Sequence, residues 1–156
     1  MGAGPVRVVV DDNVLIDYLI DREPFSEAAM LLMELGYLGE VELWMGTSQI
    51  TDMLYVITDG GKPSRAEEAK RTMRALRKMV HIYATDEEDY DAVASGVFDD
   101  LEDAFVYQTA LKVKADAIIT RDQQGFQRSS IKTFDCAGFF EHLEEEKGVA
   151  YAGIAW

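Results

Sequence analysis

The sequence has little of the residue types that build disulfides and zinc sites. Its 156 residues include one cysteine, Cys136, and two histidines. A single cysteine excludes an internal disulfide and fits a reducing compartment. With one cysteine and two histidines, no Cys/His ligand set is apparent that would favour zinc. Because Cys136 comes just before an apolar Gly-Phe-Phe run, we expect it to be a buried structural thiol.

The sequence also lacks a long apolar run. No stretch approaches the ~20 apolar residues that a membrane span needs. The first residues, MGAGPVR, lead directly into a strand-like segment, so we expect no signal peptide. With 48 % hydrophobic residues, the composition is that of a globular protein. We therefore expect a cytoplasmic protein with one domain, residues 1–148. An apolar tail, residues 149–156, would pack on that domain or bind a partner.

Positive charge is scarce and unevenly distributed. The formal net charge is -14, from 15 basic and 29 acidic residues. This opposes an affinity for nucleic acids, which normally comes from Lys and Arg. The segment from Lys62 to His81 nevertheless holds seven cations and only two anions. We predict that it forms a basic helix whose Arg71, Arg74 and Lys78 contact RNA, although a solvated surface is the equally weighted alternative.

Strand-like and helix-like segments alternate along the whole chain. Short apolar runs at residues 6–10, 41–45, 80–84 and 117–120 are typical of buried strands, and residues 131–134 of an edge strand. Helical periodicity fills the intervals between them, with Ser48 and Asp99 as expected helix caps. This alternation predicts a three-layer α/β/α sandwich with a four- or five-stranded parallel sheet.

Acidic residues follow several of the predicted strands. Asp11 ends the first strand, Asp52 lies in the first turn after the second, and Asp103 opens a helix after the third. Asp122 comes two residues after Thr120, at the end of the fourth strand. Open parallel sheets bind their ligands beyond the carboxyl ends of the strands. We therefore expect these four carboxylates to meet at one edge of the sheet.

Two interpretations of these acids are open on spacing alone. Carboxylate oxygens suit Mg²⁺ or Mn²⁺, and a cation held there would favour the hydrolysis of a phosphate ester. Asp is also common at the amino termini of helices, where it caps the helix and interacts with its dipole. Spacing does not decide between a metal site and a set of helix caps.

The residues around the acids resemble the motifs of the PIN-domain nucleases. VVVDDNVLIDYL at residues 8–19 is similar to the first block of that family, and TSQITDMLYVI at residues 47–57 to the second. DDLEDAFVYQTAL at residues 99–111 and ADAIITRDQQGF at residues 115–126 are similar to the third and fourth. The blocks occur in the order of the family and extend from residue 6 to about 146. Most members have Glu where this chain has Asp52.

The resemblance implies an Mg²⁺- or Mn²⁺-dependent endoribonuclease similar to the VapC toxins. Such a protein would be paired with a protein antitoxin and would often be a homodimer. By this match, Asp11, Asp103 and Asp122 are metal ligands and, with Asp52, catalytic residues. The match further implies supporting roles for other polar residues and RNA contact by an arginine beside the fourth acid. The supporting residues are Asn13, Ser48, Asp100 and Thr120, and the arginine is Arg121.

Two alternatives stay open at this point. Receiver domains of signalling proteins also begin with a segment like VVVDDN, and Asp52 lies near the position of their phosphoacceptor. Against this, Asp52 falls in a helix-like segment, whereas the acceptor of a receiver ends a strand. The second alternative is a catalytically weak PIN fold that acts as a binding module. The Asp at position 52 and the negative net charge both permit it.

Overall fold

The computed structural model describes residues 4–148. In this part of the chain, five strands alternate with seven α-helices and three short 3-10 segments. The strands are β1 (Val6–Val10), β2 (Val41–Gly46), β3 (Val80–Tyr83), β4 (Ala117–Ile119) and β5 (Lys132–Phe134). The helices are α1 (Asp12–Leu19), α2 (Ser26–Tyr37), α3 (Ile50–Ile57), α4 (Ala66–Leu76), α5 (Glu87–Ser95), α6 (Leu101–Lys112) and α7 (Cys136–Lys147). The 3-10 segments are Thr47–Gln49, Pro63–Arg65 and Gln123–Phe126.

The five strands form one parallel sheet in the order β3-β2-β1-β4-β5. The central strand β1 pairs with both β2 and β4, so that Val8 lies opposite Leu43 on one side and Ala117 on the other. Within residues 4–148, β5 pairs with β4 alone and forms one edge, as predicted. The predicted three-layer α/β/α sandwich is confirmed. Of the four or five strands that were expected, the sheet has five.

Alternation along the strands divides the apolar residues between two cores. Val8 and Val10 of β1 belong to a core that also contains residues of α1, α2, α3, α4 and α7. Val9 points to the other face, where Val106 and Ala110 of α6 cover it. All three valines are fully buried. Burial on both faces explains why β1 is a continuous β-branched run and not an alternating pattern.

Two predicted helix caps are wrong. The side chain of Asp100, not that of Asp99, caps α6 by accepting a hydrogen bond from the Asp103 amide at 3.0 Å. Before α3, the side chain of Gln49, not Ser48, accepts the hydrogen bond from the Gly46 amide, at 2.8 Å. In both cases a neighbouring polar residue reaches the free amide, because the helix begins one or two residues away from the predicted start.

Three further expectations have structural outcomes. Cys136 is buried, as predicted. Within residues 4–148, no helix combines the length and the apolar composition that crossing a bilayer requires. The predicted apolar tail, residues 149–156, lies outside the described residues.

Candidate functional site

The order of the strands defines a crevice beside β1. The chain passes from β1 to β2 on one side, whereas β4 lies on the other side of β1. Ligands of open α/β sheets bind at such a reversal, outside the carboxyl ends of the two central strands. Asp11 directly follows β1, and Thr120 directly follows β4. These two residues therefore stand side by side at the position where the fold favours a site.

Asp11 is the most constrained of the predicted acids. It is 6 % exposed, and one carboxylate oxygen, Oδ1, accepts the amide hydrogen of Asp12 at 2.8 Å. The other, Oδ2, accepts the hydroxyl hydrogen of Thr120 at 2.8 Å. The side-chain amide of Asn13 lies 3.5 Å from the same oxygen. These contacts hold the Asp11 carboxylate in one orientation at the end of the central strand.

The Thr120 hydroxyl links the two central strands to the loop that carries Asp122. It donates to Asp11 and accepts hydrogen bonds from the Asp122 amide at 3.0 Å and the Asn13 side chain at 3.3 Å. The Asn13 carbonyl oxygen in turn accepts the amide hydrogen of Arg121 at 3.2 Å. Thr120 and Asn13 thus both contact Asp11, and their supporting role in catalysis stays a prediction.

Asp103 and Asp122 approach each other across Gly125. A methyl group added at Gly125 would collide with Oδ2 of Asp103 and lie 3.1 Å from Oδ2 of Asp122. The Gly125 amide also donates to Oδ1 of Asp122 at 3.2 Å. Glycine at this position therefore leaves the space in which these two carboxylates stand. Asp100 completes the group by capping α6 at the Asp103 amide.

A cleft of about 220 Å³ opens between β1, α3 and α6. Five carboxylates line it, together with Asn13, Ser48 and Gln49. Gln49 is 2 % exposed, and its amide nitrogen donates to the Val10 carbonyl at 2.8 Å and to Oδ1 of Asp12 at 3.1 Å. Asp122 is not among the residues that line this cleft. The five carboxylates of the cleft are those of Asp11, Asp12, Asp52, Glu102 and Asp103.

The carboxylates of the cleft destabilise one another's charged forms. Burial, then the charges of Asp11, Asp100, Asp122 and Glu102, raise the pKa of Asp103 to about 7. Burial is also the main reason why the pKa of Asp12 is raised to about 7, and the charges of Asp11 and Asp52 add to it. Burial raises the pKa of Asp11 against the opposing hydrogen bond from Thr120.

Glu102 differs from the other acids in the cause of its shift. The nearby charge of Asp52 is the largest contribution to its raised pKa, ahead of burial. Repulsion of this kind costs free energy unless a cation or protons neutralise the cluster. The cleft is therefore a place where positive charge is stabilised.

Carboxylate oxygens are the donor type that Mg²⁺ and Mn²⁺ prefer, so the chemistry of the cleft fits a hard divalent cation. In the described residues, no group of three or more acidic, histidine or cysteine side chains stands close enough together to hold a metal ion as placed. Binding a cation would therefore require the side chains to draw together around it.

The basic residues predicted to contact RNA lie in two settings. Arg71 and Arg74 are exposed on α4, and Lys78 is exposed just after it. Among residues 4–148 these three side chains have no hydrogen-bond or ion-pair partner. Met73 and Leu76 of α4 line a cavity together with Met45 of β2 and Val80 of β3. The residues of α4, all within the described part of the chain, do not line the acidic cleft.

Arg121 is engaged in a structural contact. Its guanidinium donates to both carboxylate oxygens of the buried Asp17, at 2.7 and 3.0 Å, and lies 4.0 Å from the ring centre of Phe25. A bidentate pair of this kind fixes the position of the arginine. It anchors the loop of Thr120 and Asp122 to α1, and contact between Arg121 and RNA stays a prediction.

Comparison with known proteins identifies the family. The model of the PIN domain matches residues 7–124, about three quarters of the chain. The chain therefore belongs to the PIN domain family. No curated protein matches it in sequence.

Solved structures share the fold at low sequence identity. VapBC2 from Rickettsia felis bound to a DNA fragment from its promoter contains a chain with a TM-score of 0.60 and 10 % identity. FitAcB from Neisseria gonorrhoeae has a TM-score of 0.61 and 14 % identity, and both matches cover 83 % of this chain and 98 % of the other. FitAB bound to the IR36 DNA fragment has a TM-score of 0.59, 16 % identity and coverages of 83 % and 94 %.

Four residues of the site were not selected from the sequence. Asp12 directly follows Asp11, the candidate that the motif selects, and Glu102 is one of several acids around the start of α6. Gln49 and Gly125 had no role, because a single glutamine or glycine near a helix start carries no pattern. The segment TSQITD places Gln49 three residues before an acid, but only the fold shows that its side chain reaches β1.

Proposed function

We propose that this protein is a metal-dependent endoribonuclease that hydrolyses phosphodiester bonds of RNA. The observation that carries the proposal is the cleft at the carboxyl end of β1, where five carboxylates face one another and two have a pKa raised to about 7. Such a cluster suits a divalent cation, and an RNA phosphate would be its natural second ligand. PIN domains are nucleases as a family, which is consistent with this chemistry.

Asp11, Asp103 and Asp122 are the residues that would hold Mg²⁺ or Mn²⁺, and Asp52 would complete the catalytic set. When bound, the cation would activate water and offset the negative charge that develops on the phosphodiester. Thr120 and Asn13 would keep Asp11 oriented through the hydrogen bonds described above.

The remaining predicted residues of the site would act at a greater distance from the cation. Asp100 would hold the start of α6 and so the position of Asp103. Ser48 lines the cleft beside Gln49. Arg71, Arg74, Lys78 and Arg121 are the proposed contacts with the RNA backbone.

We further propose that the protein is the toxin of a toxin–antitoxin pair and forms a homodimer. The solved structures with the same fold include the VapBC2 and FitAB complexes with DNA. A protein antitoxin would then be the partner of this chain. Co-expression with the product of an adjacent reading frame, followed by co-purification, would test this part of the proposal independently of activity.

The receiver alternative has lost its main support. A receiver needs its acceptor aspartate at the end of a strand, whereas Asp52 is exposed in the first turn of α3. Membership of the PIN domain family also separates the chain from the receivers.

Cleavage of mixed single-stranded RNA by the purified protein tests the proposal. We expect cleavage with Mn²⁺ that is abolished by EDTA and by Asp11→Asn. Asp91→Asn is the matched control, because Asp91 is an exposed aspartate on α5 that does not line the cleft. Cleavage that survives either EDTA or Asp11→Asn would contradict the mechanism. No cleavage of any RNA would favour the binding-module alternative.

A further inference from the structure

A second depression lies beside the acidic cleft, on the far side of Gly125. This polar pocket has a volume of about 180 Å³, and its walls include Asp100, Gln124, Gly125, Gln127 and Arg128. Gly125, one of its walls, also lies against Asp103 and Asp122, because a methyl group there would contact both carboxylates. Through Gly125, the polar pocket is therefore adjacent to two of the proposed metal ligands.

An apolar pocket of about 200 Å³ lies next to the polar pocket. Phe98 and Arg128 line both of them. The other walls of the apolar pocket include Ala92, Val97 and Tyr107. The rings of Phe98 and Tyr107 stack at a centroid distance of 4.9 Å. The two pockets are therefore neighbours that share the walls formed by Phe98 and Arg128.

Arg128 stands at the junction of the two pockets and is exposed. Among residues 4–148 its guanidinium has no hydrogen-bond or ion-pair partner. In contrast, the neighbouring Arg121 is held by Asp17. Arg128 is thus a cation next to the acidic site whose donors are available to a ligand, and a guanidinium binds phosphate in a bidentate manner.

We infer that these two pockets bind the nucleotide next to the scissile phosphate, with Arg128 on its phosphate and its base in the apolar pocket. The inference rests on the proposed function, because the RNA must be held at the acidic cleft first. Asp99 and Asp100 also line the polar pocket, so it does not suit a free anion. The inference therefore requires that a strand bound at the cleft presents its next phosphate to Arg128.

The size and walls of the apolar pocket favour a nucleobase over a protein segment. Its volume is below the roughly 300–1,000 Å³ of pockets for drug-sized ligands, which limits its contents to about one ring system. Every nucleobase has an apolar face, and single-stranded RNA exposes such faces for insertion between apolar and aromatic side chains. A helix of a partner protein would need a longer groove.

Binding of a fluorescein-labelled single-stranded RNA heptamer tests the inference. Fluorescence anisotropy would be measured with Mn²⁺ in an Asp103→Asn background, which we expect not to cleave the probe. Arg128→Ala should weaken binding about fivefold or more and make the negative slope of log K against log salt shallower by ~0.7, the value for one phosphate contact on a single strand. Arg128→Lys should restore part of the affinity. Lys132→Ala is the control for charge, because Lys132 is an exposed cation at the first residue of β5 and lines neither pocket.

Two variants test the apolar pocket. Ala92→Leu fills it and should weaken binding by a factor of about five to 150, the range for loss of one base contact. Ala94→Leu is the matched control, since Ala94 is exposed on the same helix and does not line the pocket. Val97→Ser provides a second variant that should fold, because Val97 is already 60 % exposed. It should weaken binding in the same direction.

The outcomes separate this inference from the proposed function. If the unmutated protein cleaves RNA but Arg128→Ala and Ala92→Leu bind the heptamer like their parent, the inference alone is overturned. If the unmutated protein neither binds nor cleaves any RNA, both are overturned together. Losses confined to Arg128→Ala and to the two pocket variants, with normal binding by Lys132→Ala and Ala94→Leu, would support it.

Discussion

Replacing Thr120 with valine tests whether one hydroxyl organises the site. Thr120 is fully buried, and its hydroxyl makes three hydrogen bonds, to Asp11, Asn13 and the Asp122 amide. A hydroxyl has one donor and two acceptor positions, so all three are used. Valine has nearly the same shape and removes only the polar contacts. The substitution therefore isolates the hydrogen bonds from the packing.

The expected loss of stability follows from the partners of the hydroxyl. A hydrogen bond to a charged group contributes roughly 1.5–3 kcal/mol, and a neutral one about 1 kcal/mol. The Asp11 carboxylate is buried and cannot be rehydrated easily, whereas the Asp122 amide is a neutral donor in an exposed residue. We therefore expect Thr120→Val to lower the free energy of unfolding by about 2–3 kcal/mol. The effect should be larger at pH 8 than at pH 5, because the lost bond had favoured the charged form of Asp11.

Urea denaturation followed by circular dichroism, in EDTA, would measure this loss. Thr109→Val is the matched control: Thr109 is equally buried, but its hydroxyl makes one bond, to the Phe105 carbonyl within α6. Its loss should cost less than about 1 kcal/mol. An equal cost for the two substitutions would refute the idea that the Thr120 hydroxyl organises the acidic site.

Three other predictions concern the carboxylates and their supports. The pKa of Asp103 is raised to about 7 in the folded protein, so between about pH 4 and 7 the folded protein holds a proton that the unfolded chain releases. In EDTA, the free energy of unfolding should therefore fall as the pH rises through this range. Solvent screening should limit this loss to about 1–2 kcal/mol. Urea titrations of Asp103→Asn at the same pH values should not show this pH-dependent loss. Gly125→Ala should reduce Mn²⁺-dependent cleavage at least about tenfold by displacing two carboxylates, whereas Gly4→Ala, with no neighbour within 4 Å, should not. Gln49→Leu leaves a buried carbonyl and amide unpaired and should lower the urea midpoint by an amount equivalent to about 2 kcal/mol.

The sequence was sufficient to predict the layers of the fold. The β-branched run at Val6–Val10 has the composition of a strand buried on both faces, and the helical periodicities between strands are those of helices that cover such a sheet. These patterns are local, because they depend on which side chains must leave water and not on their final neighbours. The places of Asp11 and Asp52 relative to their strands follow from the same patterns.

Helix starts were less predictable. Asp99 and Asp100 are adjacent aspartates, and either could cap a helix, but α6 begins so that Asp100 reaches the Asp103 amide. Capping depends on the backbone angles of a single residue, and the packing of α6 against β1 and β2 determines where the helix begins. The sequence pattern does not resolve a shift of one residue.

By itself, the sequence determined that this chain forms a parallel α/β/α sandwich with acids after its strands, and it indicated the PIN domain family. Only the tertiary structure decided which of those acids meet and what holds them. β4 pairs with β1 across more than 100 residues of chain, which brings Thr120 to Asp11. Gln49 crosses from β2 to β1, and Gly125 leaves room for Asp103. Such contacts depend on distances between segments that lie far apart in the sequence, and no local pattern encodes those distances.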